Sequence, residues 1–203
     1  MKKINKIVIT GGPCAGKSSA MKRIQKEFTE KGYRVFLISE SATELIWGGI
    51  APWNCRSNRE YQMLQSKLQI EKENIFDWAS KQCKEDKILI VCDRGLMDGR
   101  AYVTESEFKW ILEHFNETEK NWLYRYDGVF FLETTAKGAE SFYSLSNNCS
   151  RTETVAQAVQ LDNQLIDIWK KHPCFYQIDN STGYEGKMNR LLKKIEIHLN
   201  KGD

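Results

Sequence analysis

Eight residues near the start of the chain, Gly11-Gly12-Pro13-Cys14-Ala15-Gly16-Lys17-Ser18, fit the pattern GxxxxGK(S/T) without a mismatch. Each residue type has a physical task there. Glycines let the backbone wrap so that successive N–H groups point at phosphate oxygens. A helix that opens where the loop ends adds the positive end of its dipole. Lys17 then reaches the β- and γ-phosphates, and the Ser18 hydroxyl ligates magnesium. Pro13 and Cys14 are tolerated loop positions, and Cys14 contributes only its N–H. The alternative is a chance glycine turn carrying a surface lysine. The flanking pattern argues against it, because a β-branched run precedes the loop and a helical period follows. The expected ligand is a nucleoside triphosphate, ATP or GTP, held by Gly12, Pro13, Cys14, Ala15, Gly16, Lys17, Ser18 and Ser19.

Two further acidic positions follow strand-like runs. Asp93 comes directly after Ile88 to Cys92. In an open α/β sheet, ligands bind beyond the carboxyl ends of the strands. Asp93 is therefore placed either to hold magnesium together with Ser18 or to cap the next turn. Arg94 beside it either stabilises charge on a transferring phosphoryl group or makes a surface ion pair. Glu40 ends the second strand-like run. It either accepts a proton from an attacking hydroxyl or begins a helix, where a carboxylate suits the dipole.

The elements that must position these groups are legible as alternating periods. Lys6 to Thr10 reads as a strand, and Ser18 to Lys31 as a helix with Met21, Ile24 and Phe28 on one face. Gly32 is its stop. Tyr33 to Ser39 is a second strand. Ser57 and Glu60 form a capping box, opening a long helix to about Gln82 with Tyr61, Leu64, Leu68, Ile75 and Trp78 facing inward. Ile88 to Cys92 is apolar throughout, as in a strand covered on both faces. Thr104 and Glu107 open a helix to about Phe115, and Tyr126 to Leu132 is a fourth strand. Ser150 and Glu153 open a helix to about Lys171. Cys174 to Ile178 is a fifth strand, and Tyr184, Met188, Leu191, Ile195 and Leu199 mark a last helix. Strands alternating with helices predict a parallel sheet in a three-layer α/β/α domain. Two irregular stretches, about 41–57 and 134–152, are read as a flap and a lid.

The chain has 203 residues, with 30 lysines and arginines against 27 aspartates and glutamates, a net charge of +3. That is too little to argue for nucleic acid or a membrane surface. The longest apolar run is far short of the roughly 18 residues that a bilayer span needs. The length suits one domain, 1–203. The six cysteines contain no C-x-x-C pair, so reduced thiols in a cytoplasmic protein are expected. His114, His172 and His198 are scattered and are read as solvated or structural.

Five segments appear in a set order: GGPCAGKSS, ISESATELI, CDRGLMDGRAYV, SNNCSRTET and IDNSTGYEGKMNRLL. Together, from about Ile7 to Leu199, they resemble the P-loop family that groups the NadR-type kinase domain with the fly TRPL-translocation-defect protein. The resemblance implies a nucleoside- or nucleotide-kinase-like fold with strand order 2-3-1-4-5. It implies Asp93-Arg94 as the acidic-arginine pair after the third strand and Glu40 as the base. Gln62 matches a helix glutamine that holds an acceptor base, against the alternative of a solvent-facing residue. Arg151 ends the lid, where such enzymes clamp phosphate, and Asn180-Ser181 follow the fifth strand, where the nucleotide base rests. The lid departs from the pattern, with only Lys137 and Arg151 as cations.

The expected activity is transfer of the γ-phosphoryl group of ATP, with magnesium, to a hydroxyl of a nucleoside-like or vitamin-like acceptor set between Glu40, Gln62 and Arg94. The catalytic set is Lys17, Glu40, Asp93, Arg94 and Arg151. The alternative is an ATP- or GTP-binding switch with slow hydrolysis that binds a phosphoinositide or a protein. The missing N-K-x-D motif counts against a standard GTPase, and the lack of a basic cluster counts against tight membrane binding.

Overall fold

The computed structural model describes residues 2–138 and 154–201. Strands β1 (Lys3–Thr10), β2 (Arg34–Ile38), β3 (Lys87–Asp93), β4 (Gly128–Leu132) and β5 (Phe175–Ile178) pair in the order β2-β3-β1-β4-β5. Every pairing is parallel. That follows from the alternation in the sequence, because a parallel neighbour is reached only through a crossover, usually a helix.

The strand period of two divides the core. Ile7 and Ile9 of β1, Leu89 and Val91 of β3, and Phe130 and Leu132 of β4 face α1 (Lys17–Glu30) and α7 (Gly183–Asn200). Val8, Ile88, Ile90, Cys92 and Val129 face the opposite layer. That layer holds a 3-10 segment (Leu96–Tyr102), α4 (Glu105–His114), α5 (Glu119–Leu123) and α6 (Val155–Trp169). Both faces of the sheet are dry, which explains why β3 reads as a continuous apolar run. Each such side chain contributes about 1.5–3 kcal/mol on burial.

Local signals set most helix ends. Gly32, with φ 83°, terminates α1. Its N–H donates to the Thr29 carbonyl and that of Tyr33 to the Phe28 carbonyl, the paired bonds of a Schellman stop. Thr104 and Glu107 cap α4 reciprocally. The box that opens α6 belongs to Thr154 and Gln157, so this helix starts later than the Ser150–Glu153 pair predicts. Glu40 is the N-cap of a short helix, α2 (Ser41–Trp47), the helix start that is one of its two expected roles. A second short helix, α5, and the 3-10 segment escape the sequence reading.

The long helix α3 (Asn58–Gln82) has the predicted bounds but a different inner face. Tyr61 is buried, whereas Ile75 and Trp78 are 62% and 67% exposed. The inner face is polar: Gln62, Ser66, Gln69, Glu73 and Ser80. Hydrogen bonds explain the reversal. Fully buried Glu73 accepts from Tyr126 Oη at 2.8 Å, Gln69 Nε2 at 2.9 Å and Arg125 Nε at 3.0 Å. Gln69 in turn accepts from Ser41 Oγ at 2.7 Å, and Tyr126 Oη accepts from Leu96 N–H at 2.9 Å. One buried carboxylate thus ties the starts of α2 and the 3-10 segment together. In the last helix, Tyr184 is likewise exposed rather than buried.

Glu73→Ala would leave the buried Tyr126 hydroxyl and Gln69 amide without their acceptor, and each buried polar group left unsatisfied costs about 1–3 kcal/mol. Ile75→Ala, on the outer face, is expected to cost well under about 1 kcal/mol. Urea unfolding of both variants checks the assignment; equal costs would contradict it.

Candidate functional site

Strand register gathers the site. Ile38 of β2 pairs with Cys92 of β3, and Ile9 of β1 pairs with Asp93. The residues just beyond, Glu40, Asp93-Arg94 and the Gly11 loop, therefore emerge at one edge of the sheet. Arg94 adopts φ 68°, a left-handed conformation rare for a side-chain-bearing residue. Its N–H still donates to the Ile9 carbonyl at 3.0 Å, so β3 stays joined to β1 while the guanidinium turns across the crevice.

The loop itself is best understood by where its carbonyls go. Lys17 Nζ donates to the carbonyls of Gly11 and Gly12, both at 3.0 Å. The Pro13 carbonyl accepts from Thr134 Oγ1 at 2.5 Å, and the Cys14 carbonyl from Thr135 Oγ1 at 3.2 Å. The Ala15 carbonyl accepts from Lys187 Nζ at 3.2 Å. The Gly16 carbonyl accepts from Ala20 N–H in the first turn of α1. Six consecutive carbonyls are thus taken up by the protein, which turns them away from the concave side of the loop, where backbone N–H groups can face an anion. Gly16 sits at φ 90° at the N-cap of α1, where a left-handed residue is needed and glycine is the one without strain.

Charges crowd the crevice. Arg94 Nε donates to Glu40 Oε1 at 2.5 Å, and Arg94 Nη1 lies 3.3 Å from Asp98 Oδ1. Glu40 Oε2 accepts from Thr43 Oγ1 at 2.7 Å. Burial opposes ionisation of Glu40, but Arg94, Lys17 and the Thr43 bond outweigh it and hold the carboxyl at about 2. Burial raises Asp93 to about 6, helped by Glu40 and opposed by Lys17 and Arg94. Burial, helped by Arg94, lowers Lys17 to about 8. Asp93 Oδ1 is buried and has no hydrogen-bond partner among the described residues.

A family model described as an AAA domain matches residues 6–187. The chain belongs to this family. No curated protein matches it. Its sheet is that of a P-loop nucleotide-binding domain, and among the described residues no helix is long and apolar enough to cross a membrane.

Within this AAA domain, Lys17, Glu40, Asp93 and Arg94 come together in one crevice, and Ser18 and Ser19 are exposed in the first turn of α1. Gln62 is buried, not solvent-facing, and its Oε1 has no hydrogen-bond partner among the described residues. Asn180 braces the far side of the loop: its amide donates to the carbonyls of Thr134 and Lys137, both at 2.8 Å, and its oxygen accepts from Lys187 at 2.9 Å. Ser181 Oγ donates to Asp179. Arg151 and most of the 134–152 stretch lie outside the described residues, as does Cys149; the other five cysteines form no disulfide. The 41–57 stretch holds α2 and presents exposed Trp47 and Trp53.

Sequence reasoning missed the groups behind the loop. Buried Asp98 accepts from Thr10 Oγ1 and from Gly95 N–H. Thr134, Thr135, Asp162 and Lys187 hold the phosphate loop from three different elements. A faint signal existed: Asp98 follows Asp93-Arg94 by one helical turn, and Lys187 is a charge on the apolar face of α7.

Burial pushes Lys187 from 10.5 to about 8, against the pull of Glu133 and Asp162. Between those values the unfolded chain binds a proton that the folded chain does not, so this group's contribution to stability increases with pH. The difference in stability between wild type and Lys187→Met is therefore expected to shift toward wild type, by up to about 3 kcal/mol, from pH 8 to 10.5. Denaturant unfolding of both proteins at several pH values checks this; a constant difference would show that Lys187 stays charged throughout.

Proposed function

We propose that this P-loop domain is a magnesium-dependent kinase that transfers the γ-phosphoryl group of ATP to a hydroxyl of an uncharged, nucleoside-like acceptor. The observation that carries the reading is the Arg94–Glu40 contact across the end of β3, beside Lys17 and Asp93. A nucleotide switch has no need of a carboxylate on the acceptor side of the loop. The resemblance to NadR-type kinase domains supports the same reading.

The residues present fit magnesium. Asp93 offers a buried oxygen without a partner among the described residues, and Ser18 a hydroxyl in the first turn of α1. Magnesium is commonly held by one or two protein oxygens together with substrate phosphates. Bound there, it would neutralise charge on the β- and γ-oxygens. Lys17 would leave the Gly11 and Gly12 carbonyls for the phosphates. Glu40 Oε1 keeps Arg94 oriented, while Oε2 exchanges the Thr43 hydroxyl for that of the acceptor. Because Glu40 is a weak base, proton transfer to it comes late, which suits a loose phosphoryl transition state. Gln62 would offer a donor on the acceptor its side-chain oxygen, which has no partner among the described residues.

Glu40→Gln is expected to leave magnesium–ATP affinity nearly unchanged and to cut transfer roughly 100- to 10,000-fold. Asp93→Asn is expected to weaken magnesium-dependent binding as well. Arg151→Ala is expected to lower turnover about 1000-fold with little change in ground-state affinity. Calorimetry and a turnover screen over nucleosides and vitamins read all three. Unaltered hydrolysis in Glu40→Gln, with no acceptor consumed by wild type, would favour the switch reading instead.

A further inference from the structure

Asp162 lies on α6, 150 residues along the chain from the phosphate loop, yet its carboxylate is fully buried against that loop. Oδ1 accepts from Gly12 N–H at 2.9 Å and from Thr134 N–H at 3.1 Å. Oδ2 accepts from Lys137 Nζ at 2.7 Å, and Lys137 also reaches Asn163 Oδ1 at 2.7 Å. The approach is close enough to exclude any side chain at position 12. A Cβ there would stand 2.7 Å from Asp162 Oδ1 and 3.2 Å from Thr134 Cβ.

A carboxylate behind an anion-binding loop works against the charge of a triphosphate. Its use must lie in geometry. The peptide unit joining Gly11 and Gly12 is held at both polar ends: its carbonyl by Lys17 at 3.0 Å and by Arg94 at 3.4 Å, its N–H by Asp162. Lys17 is the residue a triphosphate draws away. Once it leaves, the Gly11 carbonyl keeps only the long Arg94 contact, and Asp162 becomes the main restraint on that peptide. Free rotation there would re-aim the N–H groups that follow.

We propose that Asp162 is a positioning residue for the triphosphate, whose Oδ1 pins the Gly11–Gly12 peptide so that the loop keeps its shape when Lys17 turns to the phosphates. Thr134 N–H on the same oxygen fixes Asp162 relative to β4, and Lys137 neutralises it. The inference rests on nucleotide binding by the loop and not on the transfer reaction.

The test contrasts two variants. Asp162→Asn keeps an acceptor oxygen at the same place without the charge; Asp162→Glu keeps the charge but moves the oxygen. Calorimetry with magnesium–ATP and with inorganic tripolyphosphate is expected to show less than about threefold loss for Asp162→Asn and about tenfold or more for Asp162→Glu. Hydrogen exchange at the Gly12 amide, followed by NMR without nucleotide, is expected to stay slow in the first and become fast in the second. If Asp162→Glu does not fold, Asp162→Ser, too short to reach the amide, replaces it. The opposite order would assign Asp162 to an ion pair with Lys137 and overturn the proposal. So would two unchanged affinities, or equal losses that track thermal stability. A wild type that binds neither ligand while the exchange contrast persists would remove the nucleotide and keep only a structural clasp, which also overturns it.

Discussion

A loop that offers its amide protons to a polyanion must dispose of its carbonyls elsewhere, and the rest of this structure depends on that constraint. Backbone carbonyls cannot be left unbonded in a buried turn without a cost of about 1–3 kcal/mol each. Here those of Gly11 to Ala15 are met by side chains from α1, the segment after β4, and α7. The glycine pattern permits the fold of the loop, and these donors select it. The loop is therefore a product of the whole sheet: β1 delivers it, β4 supplies Thr134 and Thr135, and the crossover after β5 brings Lys187.

The second level of organisation is electrostatic. The crevice holds Lys17 and Arg94 with Glu40, Asp93 and Asp98 in a water-poor space. Such a cluster persists only when each charge has specific partners. Glu40 and Asp98 satisfy Arg94, and Thr10 and Gly95 satisfy Asp98. Among the described residues, Asp93 is the member left with an open oxygen and Lys17 is held by carbonyls. Among the described residues, the two groups with the least fixed partners are those that the proposed function assigns to the metal and the triphosphate. Beneath them, Glu73 fixes the two segments that carry Ser41 and Leu96, so the crevice walls share one buried anchor.

Much of this was readable in the sequence, for identifiable reasons. The alternation of periods carries the layer order, and dry β3 announces itself as Ile88 to Cys92. Gly11 to Ser18 is legible because its residue types are dictated by backbone geometry rather than by distant neighbours. The inner face of α3 was not legible, because apolar periodicity assumes an oily interior. Gln69 and Glu73 face inward on account of Ser41, Tyr126 and Arg125, which are far away in the chain. The same holds for Asp162 and Lys187: nothing local marks an aspartate in an amphipathic helix as the partner of a glycine 150 residues earlier. The crossed Arg94–Glu40 contact needed the register between β2 and β3 before it had a meaning.

The Lys187–Ala15 contact also bears on the order in which the protein is made. The phosphate loop precedes its Lys187 donor by 172 residues and is synthesised well before α7, the last helix of the described residues. Until α7 docks, the carbonyls of Ala15 and Glu133 lack their donor and Asn180 lacks its cation. A growing chain on the ribosome therefore carries the motif long before it carries the braced loop, which is complete only once α7 has docked.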